Sequence, residues 1–226
     1  MLGAMIFDFD GVITDSEILH FRAFNDVLSR HGVKMTQKEY YAEYLGLSDV
    51  DCFTTLIRQG KLGVPESSVK DLIAGKTRLF EKLARSEGEI IEGVREFLDL
   101  LAFNKIPMAI CSGALRAEIE LILEEGGLRG FFDEIVSSEQ VKRGKPHPDG
   151  FLLSLKKLNA RRVTPLAPKQ CIVIEDSHWG LQAAKAAGMH TIAVTNTYDA
   201  AQLSAADKIV PRLNTLTLDD LTQLCA

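Results

Sequence analysis

Ala4-Met5-Ile6-Phe7-Asp8-Phe9-Asp10-Gly11-Val12 is the stretch from which the rest of the chain can be read. Four apolar residues run, without alternation, into an acidic pair and a glycine. A short apolar run bounded by polar or turn residues predicts a strand buried on both faces. Comparable runs recur at 107–111 (Pro-Met-Ala-Ile-Cys), 134–137 (Glu-Ile-Val-Ser), 171–174 (Cys-Ile-Val-Ile) and 191–194 (Thr-Ile-Ala-Val). Between them, 92–102, 115–123, 148–158 and 179–187 place apolar residues at helical spacing. Strands alternating with helices predict βαβ units, hence a parallel sheet with right-handed crossovers.

Residues 16–88 break this rhythm. Helical patterns cover 18–30, 37–45, 49–59 and 69–86, punctuated by Gly32, Gly46, Gly60, Gly63 and Pro65, and no strand pattern appears among them. The expected fold class is therefore α/β: a Rossmann-like three-layer core built from 1–15 and 89–226, with an α-helical module of 16–88 inserted after the first strand. The crossings fall near 12–16 and 85–93, and the second holds Ser86, Gly88 and Gly93, which suit a hinge.

Composition narrows the function. The chain has 226 residues, a formal net charge of −5 and no long basic run, which argues against a nucleic-acid partner. No apolar run reaches membrane-spanning length. Cys52, Cys111, Cys171 and Cys225 form no CxxC pair, and Cys111 and Cys171 read as small buried hydrophobes. The N-terminus carries no signal-peptide pattern, so a cytoplasmic protein is expected, and a monomer is the default.

In open parallel sheets ligands bind beyond the carboxyl ends of the strands. Asp8-Phe9-Asp10-Gly11 follows the first strand, Ser112-Gly113 the second, Lys145-Pro146 comes after the third, and Glu175-Asp176 ends the fourth. Taken singly, each has an ordinary reading: a turn cap, a loop, a surface lysine, a helix N-cap. Taken together they suit phosphoryl transfer, which needs positioned groups and neutralised negative charge. Carboxylates can hold Mg²⁺, a lysine adds a second cation, and a hydroxyl with glycine N–H groups can bind phosphate oxygens.

These segments carry a family resemblance. Asp8-Phe9-Asp10-Gly11-Val12-Ile13-Thr14-Asp15-Ser16-Glu17 resembles the first motif of haloacid dehalogenase superfamily phosphotransferases, and Ile110-Cys111-Ser112-Gly113 the second. Lys145-Pro146-His147-Pro148-Asp149 resembles the third, and Val173-Ile174-Glu175-Asp176-Ser177 the fourth, continuing through Gly180 to Gly188. The helical insert resembles the cap of the subgroup that includes phosphoglycolate phosphatases and beta-phosphoglucomutase. The resemblance implies that Asp8 is the nucleophile forming an aspartyl-phosphate and Asp10 the general acid and base, its backbone carbonyl also reaching the metal. It implies Mg²⁺ held with Asp176, and with Glu175 as an outer or direct contributor. Ser112 and Gly113 would bind phosphate, Lys145 would pair with Asp8, and Thr14 would sit at a cap hinge. Asp10 and the Glu175-Asp176 pair favour phosphate chemistry over dehalogenation, which needs neither.

In the insert, His20-Phe21-Arg22-Ala23-Phe24 resembles the beta-phosphoglucomutase cap, which implies His20 as a partner of Asp10, against a plain reading as a packing histidine; Lys76 resembles a substrate-binding cap lysine, against a plain reading as an exposed helix lysine. Arg22, Arg58 and Arg78 are weaker candidates. Tyr40, Tyr41, Tyr44 and Phe53 are expected in the insert's core, and Trp179 near a helix start, lining the entrance. Gly46-Leu47-Ser48 resembles a cap specificity loop, but Asp49 stands where beta-phosphoglucomutase has a phosphate-gripping arginine. The expected activity is thus a phosphatase for a small phosphorylated metabolite. The alternatives are a sugar phosphomutase and, further off, a non-catalytic binding protein of the same fold.

Overall fold

Ala4–Phe7 forms β1, one of the two middle strands of a six-stranded sheet, with all four residues buried. The computed structural model describes every residue except Gly46 and Arg161, so the Gly46 end of the expected specificity loop lies outside the described residues. The other strands are β2 (Met108–Cys111), β3 (Glu134–Val136), β4 (Cys171–Glu175), β5 (His190–Val194) and β6 (Lys208–Val210). Their order is β3-β2-β1-β4-β5-β6, and all neighbours are parallel. Phe7 pairs with Ile110 on one side and Ile174 on the other. Strand order reverses at β1 and β4, so the crevice beyond their carboxyl ends is the place such a sheet offers a ligand.

Two apolar layers cover the sheet, as a parallel sheet requires. Ala4, Ile6, Ala109, Cys111 and Val173 face Phe151 and Leu155 of α7 (Asp149–Asn159) and Ala183 and Ala184 of α8 (His178–Ala186). Phe7 points the other way, edge-on to Phe97 of α5 (Val94–Phe103) and to Phe132, with ring centroids 6.1 and 5.8 Å apart. α6 (Arg116–Glu125) links β2 to β3. β6 and the C-terminal helix α9 (Leu218–Leu224) were not expected from sequence. β6 is a three-residue edge strand, and α9 has only seven residues, fixed by a Thr217–Asp220 capping box.

The described residues divide into two compact units, Met1–Asp15 with Glu89–Ala226, and Ser16–Gly88. The second contains α1 (Glu17–Ser29), α2 (Gln37–Glu43), α3 (Asp49–Arg58) and α4 (Val69–Glu87). It has its own core, in which Phe24, Leu28, Tyr40, Tyr44, Phe53, Leu56 and Leu72 are buried. Thr36 and Ser48 cap α2 and α3 by accepting hydrogen bonds from Glu39 N and Asp51 N. Tyr41 departs from the expected core: it is 39% exposed, because Tyr40 and Tyr44 share the buried face and Tyr41 turns off it.

In the first unit Thr14 forms an antiparallel bridge with Ile90. Its hydroxyl donates to Glu89 O at 2.8 Å, and Ile91 N donates to Ile13 O at 3.0 Å. Thr14 is fully buried. Ser86, expected in a hinge, belongs to α4, whose last residue is Glu87 and whose C-cap is Gly88. Among the described residues no helix is long and apolar enough to cross a membrane.

Candidate active site

Asp8 N donates to Ile174 O at 2.9 Å, which extends the β1–β4 ladder by one residue and delivers the Asp8 carboxylate at the strand-order reversal. The chain then turns tightly: the N–H groups of Val12, Ile13 and Thr14 all reach Phe9 O, and Gly11 N donates to Thr14 O at 2.7 Å. Gly11 has φ of +74°, and a Cβ there would fall 1.9 Å from Asp176 Oδ2. Only glycine fits both the conformation and the space.

β4 brings Glu175 and Asp176 to the same place. Glu175 is fully buried, and its Oε2 accepts from Asp176 N, Ser177 N and Ser177 Oγ at 3.2, 3.2 and 2.9 Å. The carboxylate lies under the first turn of α8, where Gly180 makes room: a Cβ on it would be 1.8 Å from Glu175 Cδ. Lys145 Nζ sits 2.6 Å from Asp8 Oδ1 and 2.5 Å from Glu175 Oε1. Its ammonium also lies 5.4 Å from the Phe151 ring centroid. Lys145–Pro146 is a cis peptide.

Three buried carboxylates and one ammonium thus share a small volume. Asp8, Glu175 and Asp176 each offer an oxygen, all within 4.8 Å of one another. Burial, followed by the charges of Asp8 and Glu175, pushes the Asp176 carboxyl up to about 8. Burial also raises Glu175, although Lys145 opposes it. Burial alone would lower Lys145, but Asp8 and Glu175 outweigh it and hold the ammonium well above the usual lysine range. A surplus of buried carboxylate oxygen fits a hard divalent cation such as Mg²⁺, which prefers oxygen ligands.

Asp10 lies past the first carboxylate in the same turn, bridged to Thr14, partly exposed and outside the three-carboxylate group. Ser112 follows β2; it is buried, its N–H donates to Val136 O at 3.0 Å, and its Oγ accepts from Ala114 N at 2.9 Å. A Cβ on Gly113 would meet nothing within 4 Å, so packing does not demand glycine there.

His20 and Lys76 come together in the helical unit. Lys76 is 1% exposed, far from the surface lysine that was one of its readings. Its Nζ is 2.7 Å from His20 Nδ1 and 3.0 Å from Asp49 Oδ1. The His20 ring stacks on Phe80 at 4.1 Å between centroids. Burial first, and the charge of Lys76 second, hold His20 well below the usual histidine range, so its ring is neutral and Nδ1 accepts from the ammonium. Trp179 is 46% exposed and packs on His178 and Tyr198, with centroids 3.8 and 6.4 Å away.

Sequence reasoning missed the loop after β5. Thr197 donates its hydroxyl to Asp176 Oδ2, and Asn196 Nδ2 donates to Gly11 O at 2.8 Å. The signal was available, because 191–194 reads as a strand and its carboxyl end belongs with the other four. Threonine and asparagine are ordinary loop residues, however, and nothing in their type marks them.

The family model of haloacid dehalogenase-like hydrolases matches residues 5–194. A phosphorylated carbohydrates phosphatase from Thermotoga maritima is 32% identical over 194 residues, covering 84% of this chain and 83% of that protein. A mutant of CbbY from Rhodobacter sphaeroides, solved in complex with xylulose-(1,5)bisphosphate, superposes with a TM-score of 0.85 at 27% identity, covering 98% of this chain and 99% of that one. A beta-phosphoglucomutase from Clostridium difficile gives a TM-score of 0.82 at 26% identity, covering 100% of this chain and 97% of the other. These similarities agree with the superfamily read from the four motifs, with the subgroup read from the helical insert, and with the expected enzyme class, a phosphatase of this superfamily. The chain belongs to the haloacid dehalogenase-like hydrolases.

Proposed function

We propose that the chain is a Mg²⁺-dependent phosphatase of small phosphate monoesters, sugar phosphates foremost, working through an aspartyl-phosphate on Asp8. The observation that carries the reading is the joint placement of Asp8, Lys145, Glu175 and Asp176 at the β1–β4 reversal. An Asp8 oxygen attacks phosphorus, and the bond to the substrate's leaving oxygen breaks. Asp10 gives that oxygen its proton, then takes one from the water that attacks the same phosphorus. The Asp8 oxygen–phosphorus bond breaks, inorganic phosphate departs, and Asp8 and Asp10 return to their starting states. Ser112 already accepts from Ala114 N, which leaves its O–H to donate to a phosphate oxygen beside the Gly113 N–H. Lys145 bridges Asp8 and Glu175, so its charge stays at the reacting end. Asp8, Asp176 and Glu175, with the Asp10 carbonyl, would hold Mg²⁺, which when bound offsets repulsion between Asp8 and the phosphate.

Ser16–Gly88 is read as the substrate-selecting cap. Asp49 supports a phosphatase over a mutase. A mutase must grip phosphate at both ends of a bisphosphate, yet here a carboxylate replaces the arginine and lies 3.0 Å from Lys76 Nζ, balancing its charge. The phosphatase relative from Thermotoga maritima supports phosphorylated carbohydrates as the substrate class. The four cysteines are all free and buried, which suits a reducing cytoplasm.

The test is phosphate release from a panel of sugar phosphates, phosphoglycolate and nucleotides, with and without Mg²⁺. Asp8→Asn is expected to lower release by at least about three orders of magnitude. Release that survives in folded Asp8→Asn sinks the mechanism. Silence from folded wild type, with turnover in a coupled sugar-phosphate isomerisation assay, hands the site to the mutase reading.

A further inference from the structure

We propose that Thr197 and Asn196, on the loop after β5, are positioning residues for the metal ligand Asp176, so that a fifth strand end completes the site. The inference rests on the metal reading given under Proposed function and adds what holds one ligand in place. Asp176 is 5% exposed, and the Thr197 hydroxyl donates to its Oδ2. A carboxylate with one oxygen engaged by a hydroxyl keeps the other for a cation, and its rotamer is fixed before the cation arrives. Partners of this kind orient ligands and set affinity in metal sites generally.

The loop is itself anchored on two sides. Thr195 N donates to Val210 O at 3.2 Å, which ties its start to β6. Asn196 Nδ2 donates to Gly11 O at 2.8 Å, which ties the next residue to the turn that carries Asp10. Packing converges on the same point. A Cβ on Gly11 would lie 1.9 Å from Asp176 Oδ2 and 2.8 Å from Thr197 Oγ1, so turn, ligand and hydroxyl meet in one close contact. Asp176 has little room to swing on that side. Replacing the hydroxyl by a methyl of the same shape would take this donor away from Asp176 Oδ2, and a buried carboxylate that loses a donor is held less firmly.

The experiment titrates Mg²⁺ into the 226-residue chain by calorimetry, with Trp179 emission as a second readout. Trp179 is the sole tryptophan and lies three residues beyond Asp176. Thr197→Val is expected to weaken Mg²⁺ binding by about tenfold or more, and Thr197→Ser to stay within about twofold of wild type. The half-saturating Mg²⁺ concentration for phosphate release should rise in parallel. Wild-type affinity in a folded Thr197→Val protein overturns the proposal, as does a serine variant as weak as the valine one. If Thr197→Val does not fold, Asn196→Ala decides alone: weakened binding supports the proposal and unchanged binding overturns it. Absence of Mg²⁺ binding in wild type is a different result, because it removes the metal reading itself and this inference with it.

Discussion

Gly180 shows how a single side chain's absence can shape chemistry. In the first turn of a helix, glycine is a poor choice, and alanine ordinarily gains up to about 1 kcal/mol. Here a Cβ would land 1.8 Å from the Glu175 carboxyl carbon, and that carboxylate is fully buried and held by Lys145 and Ser177. Gly180→Ala is therefore expected to reverse the usual sign and destabilise by about 1–3 kcal/mol, read from urea unfolding. An unchanged or raised midpoint would mean that Glu175 has another place to go. The fourth-motif resemblance runs through this glycine, but the residue type alone does not give the reason, because the clash depends on a side chain five residues back. Asp8, Lys145 and Asp176 were legible because each follows a strand-like run. Thr197 was not, because its partner becomes visible only when β5 and β4 are laid side by side.

Pairs of elements behave in the same way. α1 and α4 meet through His20, which stacks on Phe80 and accepts from Lys76. Burial and the neighbouring ammonium keep His20 neutral in the folded chain, whereas the unfolded chain takes up a proton near the ordinary histidine value of about 6.5. The folded pKa is depressed, so the unfolded state binds more protons as the solution is acidified. The corresponding stability is present above about pH 6.5 and is lost as pH falls below it. The urea midpoint should drop between about pH 7 and about pH 5.5, and His20→Asn should flatten that drop. Equal slopes in the two proteins would remove His20 as the cause. Periodicity found α1 and α4 to within a few residues, yet it could not show that Lys76 is buried, since a long polar side chain inside a helical pattern reads as surface. The edge strand β6 and the short helix α9 escaped for a simpler reason: each is too brief for its period to register.

Among the described residues one large apolar cluster lies against the sheet and a second among α1–α4. Asp8, Glu175 and Asp176 all belong to the unit that contains the sheet. Phe53 is fully buried in the second, and truncating such a phenylalanine costs about 3–5 kcal/mol. Phe53→Ala should speed hydrogen exchange across α1–α4 while Mg²⁺ affinity, measured by calorimetry, stays within about twofold of wild type. A joint loss would show that the two cores stand or fall together.

The bridge between Thr14 and Ile90 has a meaning for how such a chain can change over generations. The outgoing and returning passages are fastened side by side by Thr14 Oγ1 to Glu89 O and Ile91 N to Ile13 O. To the sheet, everything between them is a closed excursion that begins and ends at one doorway. Whatever starts and finishes at that spacing meets the same boundary condition, whether it is four helices or a short turn. The doorway makes the excursion a replaceable part, so one segment of the gene can drift while the acid-bearing strand ends are copied unaltered.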